Sequence, residues 1–166
     1  NRMYGKRLKT YKHIGFVPLT DKRELKQNAN AIFDSGNYTD VFERDLIEAN
    51  KSIIISSSNI TQNKVERFIY LIKARQEAGA SVTVITEDPE NIRFGNPDVI
   101  HGLISRMKEI GISVILISDL NERFAVIDEE IVWHGGANLL GREDAWDNLI
   151  RIKDKVIAME LMQTIL

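Results

Sequence analysis

The sequence of 166 residues contains no cysteine. Disulfides, thiolate metal sites and a cysteine nucleophile are therefore excluded, and a cytoplasmic home is compatible with that lack. No apolar run approaches the roughly 18 residues that a membrane-spanning helix needs. The stretch Asn1 to Tyr11 is basic and polar, without the apolar core of a secretory signal. The chain does not open on methionine and reads as a piece of something longer. Histidine is scarce: His13, His101 and His134 stand far apart, which argues against a zinc site. No amphipathic basic helix or exposed aromatic wedge marks a lipid surface, so no membrane partner is expected.

What is present suffices for one domain. Hydrophobic residues make up 43% and charged residues 28%, ordinary for a globular chain with a real core. The net charge of −2 hides an asymmetry. Asn1 to Arg23 holds seven Lys/Arg and one acid, and the remainder carries −8. A basic arm on an acidic body suits contact with an anion such as nucleic acid, and it equally suits a solvated linker. Residues 1–36 read as this basic lead-in or linker. Asp21 to Phe33 has helical composition with a thin apolar face.

From residue 37 the patterning is regular. Tyr38 to Asn50 reads as a helix capped by Thr39 or Asp40, with Val41, Phe42, Leu46 and Ile47 on one stripe. Ser52 to Ser57 is a short β-branched strand. Val65 to Ala78 is a helix with Phe68, Ile69, Leu71 and Ile72 inward, ended by Gly79. Strands follow at 81–86 and 112–118, separated by a helix at 98–110 that Gly111 stops. This β-α-β-α-β order predicts parallel strands with right-handed crossovers. Then 123–128 and 131–135 form a hairpin, 148–152 adds a strand, and Val156 to Leu166 is a last helix. The expected fold class is α/β, a mixed sheet flanked by helices, spanning 37–166.

Two places could carry chemistry. Ser56, Ser57, Ser58 and Asn59 follow the first strand, where open α/β sheets gather ligands. They suit an anion, or simply a helix N-cap and turn. The second place is Gly135-Gly136-Ala137-Asn138, where glycines allow close backbone approach to a ligand. Six residues separate Gly135 from Asp128, four separate Asp128 from Arg123, and Asn121 lies two positions before Arg123.

This spacing resembles the phospholipase D superfamily, whose motif is His-x-Lys, four residues, Asp, six residues, Gly-Ser-x-Asn. Phe124 to Asp128, Ile131-Val132-Trp133 and Asp147-Asn148-Leu149-Ile150 resemble the words around that motif. Tyr4 to Lys9 and Ile32-Phe33-Asp34 resemble the link by which bacterial helicase-like proteins carry such a tail. The resemblance implies a phosphodiesterase or nuclease that needs no metal and no cofactor, with two motifs meeting across a homodimer. One His attacks phosphorus and another protonates the leaving oxygen, while Lys, Ser and Asn hold the phosphoryl group.

Three positions depart from the pattern. Arg123 stands for Lys and keeps a cation. Gly136 stands for Ser and loses a hydroxyl, keeping its backbone N–H. Asn121 stands for the nucleophilic His, and a carboxamide has no basic nitrogen with which to attack or shuttle a proton. His134 reads either as a relocated acid, base or nucleophile, or as a strand histidine packed beside Trp133. Asp128 fits a turn-fixing and Arg123-orienting role. Asn138 fits a phosphate-contacting or structural amide. Asp147 would by resemblance pair with the motif His, and in its absence with Arg123. The acids Asp119, Glu122, Glu129, Glu130, Glu143 and Asp144 read as solvated surface. Two rival readings remain: a non-catalytic module that positions nucleic acid or protein for a helicase-like parent, and a flavodoxin-like domain binding a phosphorylated ligand at Ser56 to Asn59.

Overall fold

The computed structural model describes residues 31–92, 95–142 and 147–165. The elements in order are β1 (Ala31–Asp34), α1 (Thr39–Ile47), β2 (Ser52–Ser56), α2 (Gln62–Glu77), β3 (Ser81–Glu87), α3 (Pro97–Glu109), β4 (Ser113–Ile117), β5 (Phe124–Ile127), β6 (Ile131–Gly135), β7 (Asn148–Lys153) and α4 (Lys155–Ile165). A short 3₁₀ turn, Pro89–Asn91, follows β3. The basic arm with His13, and Glu143 and Asp144, lie outside the described residues.

Seven strands form one mixed sheet in the order β1-β7-β6-β5-β2-β3-β4. β2, β3 and β4 are parallel, as their α2 and α3 crossovers require. The hairpin β5–β6 then turns the sheet antiparallel, with β5 pairing back onto β2. Asp128 and Glu129 both take positive φ (56° each), and Glu130 N donates to Ile127 O at 3.1 Å. Two successive left-handed residues are the type I′ turn whose twist suits a hairpin.

The two faces of the sheet are covered unequally. Phe42 and Leu46 of α1, Val65, Phe68 and Ile72 of α2, and Leu103, Ile104 and Met107 of α3 bury one face around Trp133. The other face is packed by α4, through Ala158, Leu161, Met162 and Ile165 onto Ile85, Phe124, Val126 and Val132. Among the described residues, no helix is long and apolar enough to cross a membrane.

Three expectations need correction. Ala31 to Phe33 is strand, not helix: β1 pairs antiparallel with β7, Phe33 opposite Leu149. Its alternation buries Ala31 and Phe33, and the Phe33 ring lies 5.2 Å from that of Trp133. Non-local pairing overrides local helical composition here, and the sheet starts ahead of the boundary expected at residue 37. On α1 the inward stripe is Phe42, Asp45 and Leu46, while Ile47 is exposed. Tyr38, with no side-chain capping bond, precedes α1 instead of a Thr39 or Asp40 cap.

Asp128 joins the hairpin to β2. Its Oδ1 accepts backbone N–H groups from Asn50 (3.0 Å), Lys51 (2.7 Å) and Ser52 (3.2 Å). Asp128→Ala removes the acceptor shared by all three N–H groups and leaves a Cβ residue with no polar side chain at positive φ. A loss of about 2 kcal/mol is expected in urea unfolding, from charge-assisted bonds worth roughly 1.5–3 kcal/mol. An unchanged midpoint would refute this role.

Candidate functional site

At the carboxyl end of β2 the chain turns through Ser57 to Thr61, and the loop after β6 lies against this turn. Ser56 Oγ donates to Glu122 O at 2.8 Å, pinning the segment that leads into β5. Ser57 Oγ donates to Asn59 O (2.7 Å) and accepts from Leu140 N (3.3 Å). Ser58 donates through both its N–H (3.0 Å) and its Oγ (2.9 Å) to Asn138 Oδ1. Asn59 Oδ1 accepts Arg142 N at 2.8 Å, and Thr61 N donates to Leu140 O at 2.9 Å. The serine run is therefore neither an open anion turn nor a helix cap: the Ser57 and Ser58 hydroxyls bond the second loop, the Ser56 hydroxyl bonds the segment before β5, and Thr61 precedes α2 without a side-chain capping bond.

Arg123, Gly135, Gly136 and Asn138 come together beside this turn. Arg123 Nη1 donates to Gly136 O, and Arg123 O accepts from Gly135 N at 3.4 Å. Its Nε is buried without a hydrogen-bond partner, and its Nη2 has none among the described residues. Asn138 is buried with Oδ1 occupied by Ser58, and its Nδ2 likewise has no partner among the described residues. The Gly136 N–H, expected to remain as a donor for phosphate, is instead bonded to Asn148 O at 3.0 Å. An amide NH₂ and a guanidinium NH₂ are thus the donors that the motif leaves open.

The other expected residues fall in different places. Asn121 is exposed, in the segment between β4 and β5 next to the pinned Glu122. Asp147 lies beside Gly136: a Cβ added there would sit 3.1 Å from Asp147 Oδ1. Arg123 forms no ion pair with Asp147, which has other partners. Asp128 bonds the amides at the amino end of β2, the opposite end of that strand from Ser56 and Glu122. His134 is opposite Phe124 and Ile150, so it falls with Val132 on the α4 face. Alternation along β5 puts Arg123 with Ala125 and Ile127 on the Trp133 face. His101 pairs with Glu90 at 3.2 Å on α3, away from the motif. Among the described residues, no three His, Asp or Glu side chains are grouped to hold a metal ion.

Ser58, singled out for an anion or a cap, instead fixes Asn138. One contributor was not singled out from the sequence: Gly141 permits the loops to meet, since a Cβ there would lie 1.9 Å from Asn59 Oδ1 and 2.4 Å from Asn59 O. The glycine that follows Leu139-Leu140 was the available signal. Taken together, the arrangement can bind and orient an anionic oxygen. It brings no imidazole to the Arg123 side among the described residues.

No protein-family model matches the chain, and no curated protein matches it in sequence. Solved structures do. Nuc from Salmonella typhimurium, a phospholipase D family member, superposes with a TM-score of 0.66 at 14% identity over 81% of this chain and 90% of its own. NucT from Helicobacter pylori gives 0.63 at 20% identity over 81% and 91%. TrmBL2, an archaeal chromatin protein described as having a novel mode of DNA binding, gives 0.59 at 15% identity over 98% of this chain and 57% of its own. The chain has the mixed α/β fold of these phospholipase D-like structures.

Proposed function

We propose that this chain is a phospholipase D-type domain of a nucleic-acid-processing protein, and that it grips a phosphodiester without cleaving it by the phosphohistidine route. The observation that carries this reading is the pair of open donors, Arg123 Nη2 and Asn138 Nδ2, on a rigidly bonded pair of loops. A guanidinium and an amide suit phosphoryl oxygens. The motif position for the nucleophile holds Asn121, which has no lone pair basic enough to attack. TrmBL2, a protein described as binding DNA that shares this fold over 57% of its length, is in keeping with a binding role. The basic stretch Asn1 to Arg23 supplies sequence-independent attraction to the polyanion. In this reading the domain works as a homodimer and as the tail of a helicase-like protein.

The test pairs binding with cleavage. Single- and double-stranded DNA are titrated at several salt concentrations, and bis-p-nitrophenyl phosphate is offered in excess EDTA. The chain is expected to bind DNA and to leave the ester intact. Arg123→Ala should weaken binding about tenfold, in line with the roughly 1–3 kcal/mol of a charge-assisted contact. Asn121→His should gain measurable hydrolysis. Cleavage by the unaltered chain that disappears in His134→Ala would overturn the reading and identify a relocated nucleophile.

A further inference from the structure

β4 closes one end of the sheet, and among the described residues nothing pairs with its outer side. Its five residues, Ser113 to Ile117, include no charge and no proline. Those are the devices that ordinarily protect an edge strand from pairing with another chain. The opposite edge, β1, is shorter and ends on Asp34. β4 is also incompletely covered, with Leu116 39% exposed.

The direction of its free backbone groups follows from the ladder with β3. Ile117 is paired with Glu87, and Ile117 O accepts Asp88 N at 3.3 Å. Ile117 therefore faces β3, and by alternation so do Ile115 and Ser113. Val114 and Leu116 present their N–H and C=O groups outward. An antiparallel strand fits such an edge when its own outward residues stand opposite these two. A second β4 does this by twofold symmetry: centred on Ile115, it sets Val114 against Leu116 of the other copy, twice, with Ile115 opposite itself. Each Val114–Leu116 couple exchanges two hydrogen bonds, as directly opposed hydrogen-bonded residues do. Every side-chain pairing in this register is uncharged, and the two copies keep corresponding faces on the same side. We infer that β4 is a self-association edge, joining two copies of this chain into one continuous sheet through antiparallel β4 pairing. This contact is independent of the phosphate-binding reading, because two strands, β2 and β3, separate β4 from β5.

The chain's lack of cysteine makes the register readable. In Ile115→Cys the introduced thiol is the only one. Opposed residues in a non-hydrogen-bonded antiparallel pair have Cα atoms about 4.5 Å apart, within the range that a disulfide spans. Mild oxidation should link most of this variant into a dimer on a non-reducing gel. Ile117→Cys should stay monomeric there, since its two copies lie about 13 Å apart along the strands. Leu116→Lys, at a partly exposed position, should keep the circular-dichroism spectrum and lower the mass found by sedimentation. Equal cross-linking of both cysteine variants, or none in either, would overturn the pairing. So would an unchanged mass in a folded Leu116→Lys protein. DNA affinity should be the same in Leu116→Lys as in the unaltered chain at concentrations where the β4 contact is dissociated in both, which separates this contact from the Arg123 site.

Discussion

Asp45→Ala is expected to destabilise the domain by about 3–5 kcal/mol, the range for removing one partner of a buried ion pair. Asp45 is 6% exposed, and its carboxylate carries three bonds. Trp133 Nε1 donates to Oδ2 at 2.7 Å, Arg151 Nε to Oδ2 at 2.8 Å, and Arg151 Nη2 to Oδ1 at 2.9 Å. The fork of Arg151 fits the carboxylate side-on, the arrangement in which arginine gives both strength and orientation. Alanine would take the bidentate acceptor away from an Arg151 guanidinium whose side chain is only 12% exposed, and would leave the indole N–H of Trp133 inside the core without the carboxylate it donates to. Asp45→Asn keeps an acceptor and loses the charge, so it should fall between. Replacing the whole pair, Asp45→Leu with Arg151→Met, should recover part of the loss, because no buried charge is then stranded. Urea unfolding followed by circular dichroism measures all three. Arg67→Ala is the control. Its paired bonds to Glu43, both 2.9 Å, raise the Arg67 pKa further above its usual value, yet the group is solvent-exposed. No measurable change in stability is expected there. A loss in Asp45→Ala no larger than that of Arg67→Ala would refute the buried role.

This triad also marks where sequence reasoning stops. The spacing on α1 shows an apolar stripe, and Asp45, one turn from Phe42, breaks it. Nothing local says that an acid at that position is buried, because its partners lie 88 and 106 residues away in sequence. The parallel strands and the hairpin were legible because each has a short-range signal: β-branched runs, glycines after helices at positive φ (103° at Gly79 and 90° at Gly111), and a tight connection. β1 was not legible, since it is a four-residue strand that exists through β7. The motif spacing picked out Arg123, Gly135, Gly136 and Asn138, and the fold brings these four together. It could not tell that Asp128 serves the far end of β2, or that Gly136 N–H is already engaged. Spacing along one hairpin fixes order, while the direction of each side chain is fixed by strands distant in sequence. The serine run shows the same limit: its polarity suggested a ligand, and its hydroxyls proved to be bonded within the fold.

The two glycines of the motif should respond to substitution in opposite ways. Gly135 ends β6 directly against β7. A Cβ there would stand 2.0 Å from Asn148 O, 2.9 Å from Asn148 C and 3.0 Å from Leu149 Cα, all backbone atoms. No rotamer can relieve such an overlap, so the strands must part. Gly135→Ala is therefore expected to cost about 3 kcal/mol or more, the upper end of overpacking. It should also displace Gly136 O from Arg123, and with it the open guanidinium nitrogen. DNA affinity should fall at least as far as in Arg123→Ala, measured at a temperature where the variant remains folded. Gly136 is different. An added Cβ meets Asp147 Oδ1 at 3.1 Å, a side-chain atom that can yield by a few tenths of an ångström. Gly136→Ser, which restores the hydroxyl of the Gly-Ser-x-Asn pattern, should change stability by under about 1 kcal/mol, a small effect on the scale of point substitutions. Its hydroxyl stands one residue from the β6 end and two from Asn138, so phosphate affinity should hold or rise. The first glycine is then a requirement of strand packing, and the second is a position where the ligand chemistry is free to vary. Equal losses in the two variants would contradict that division.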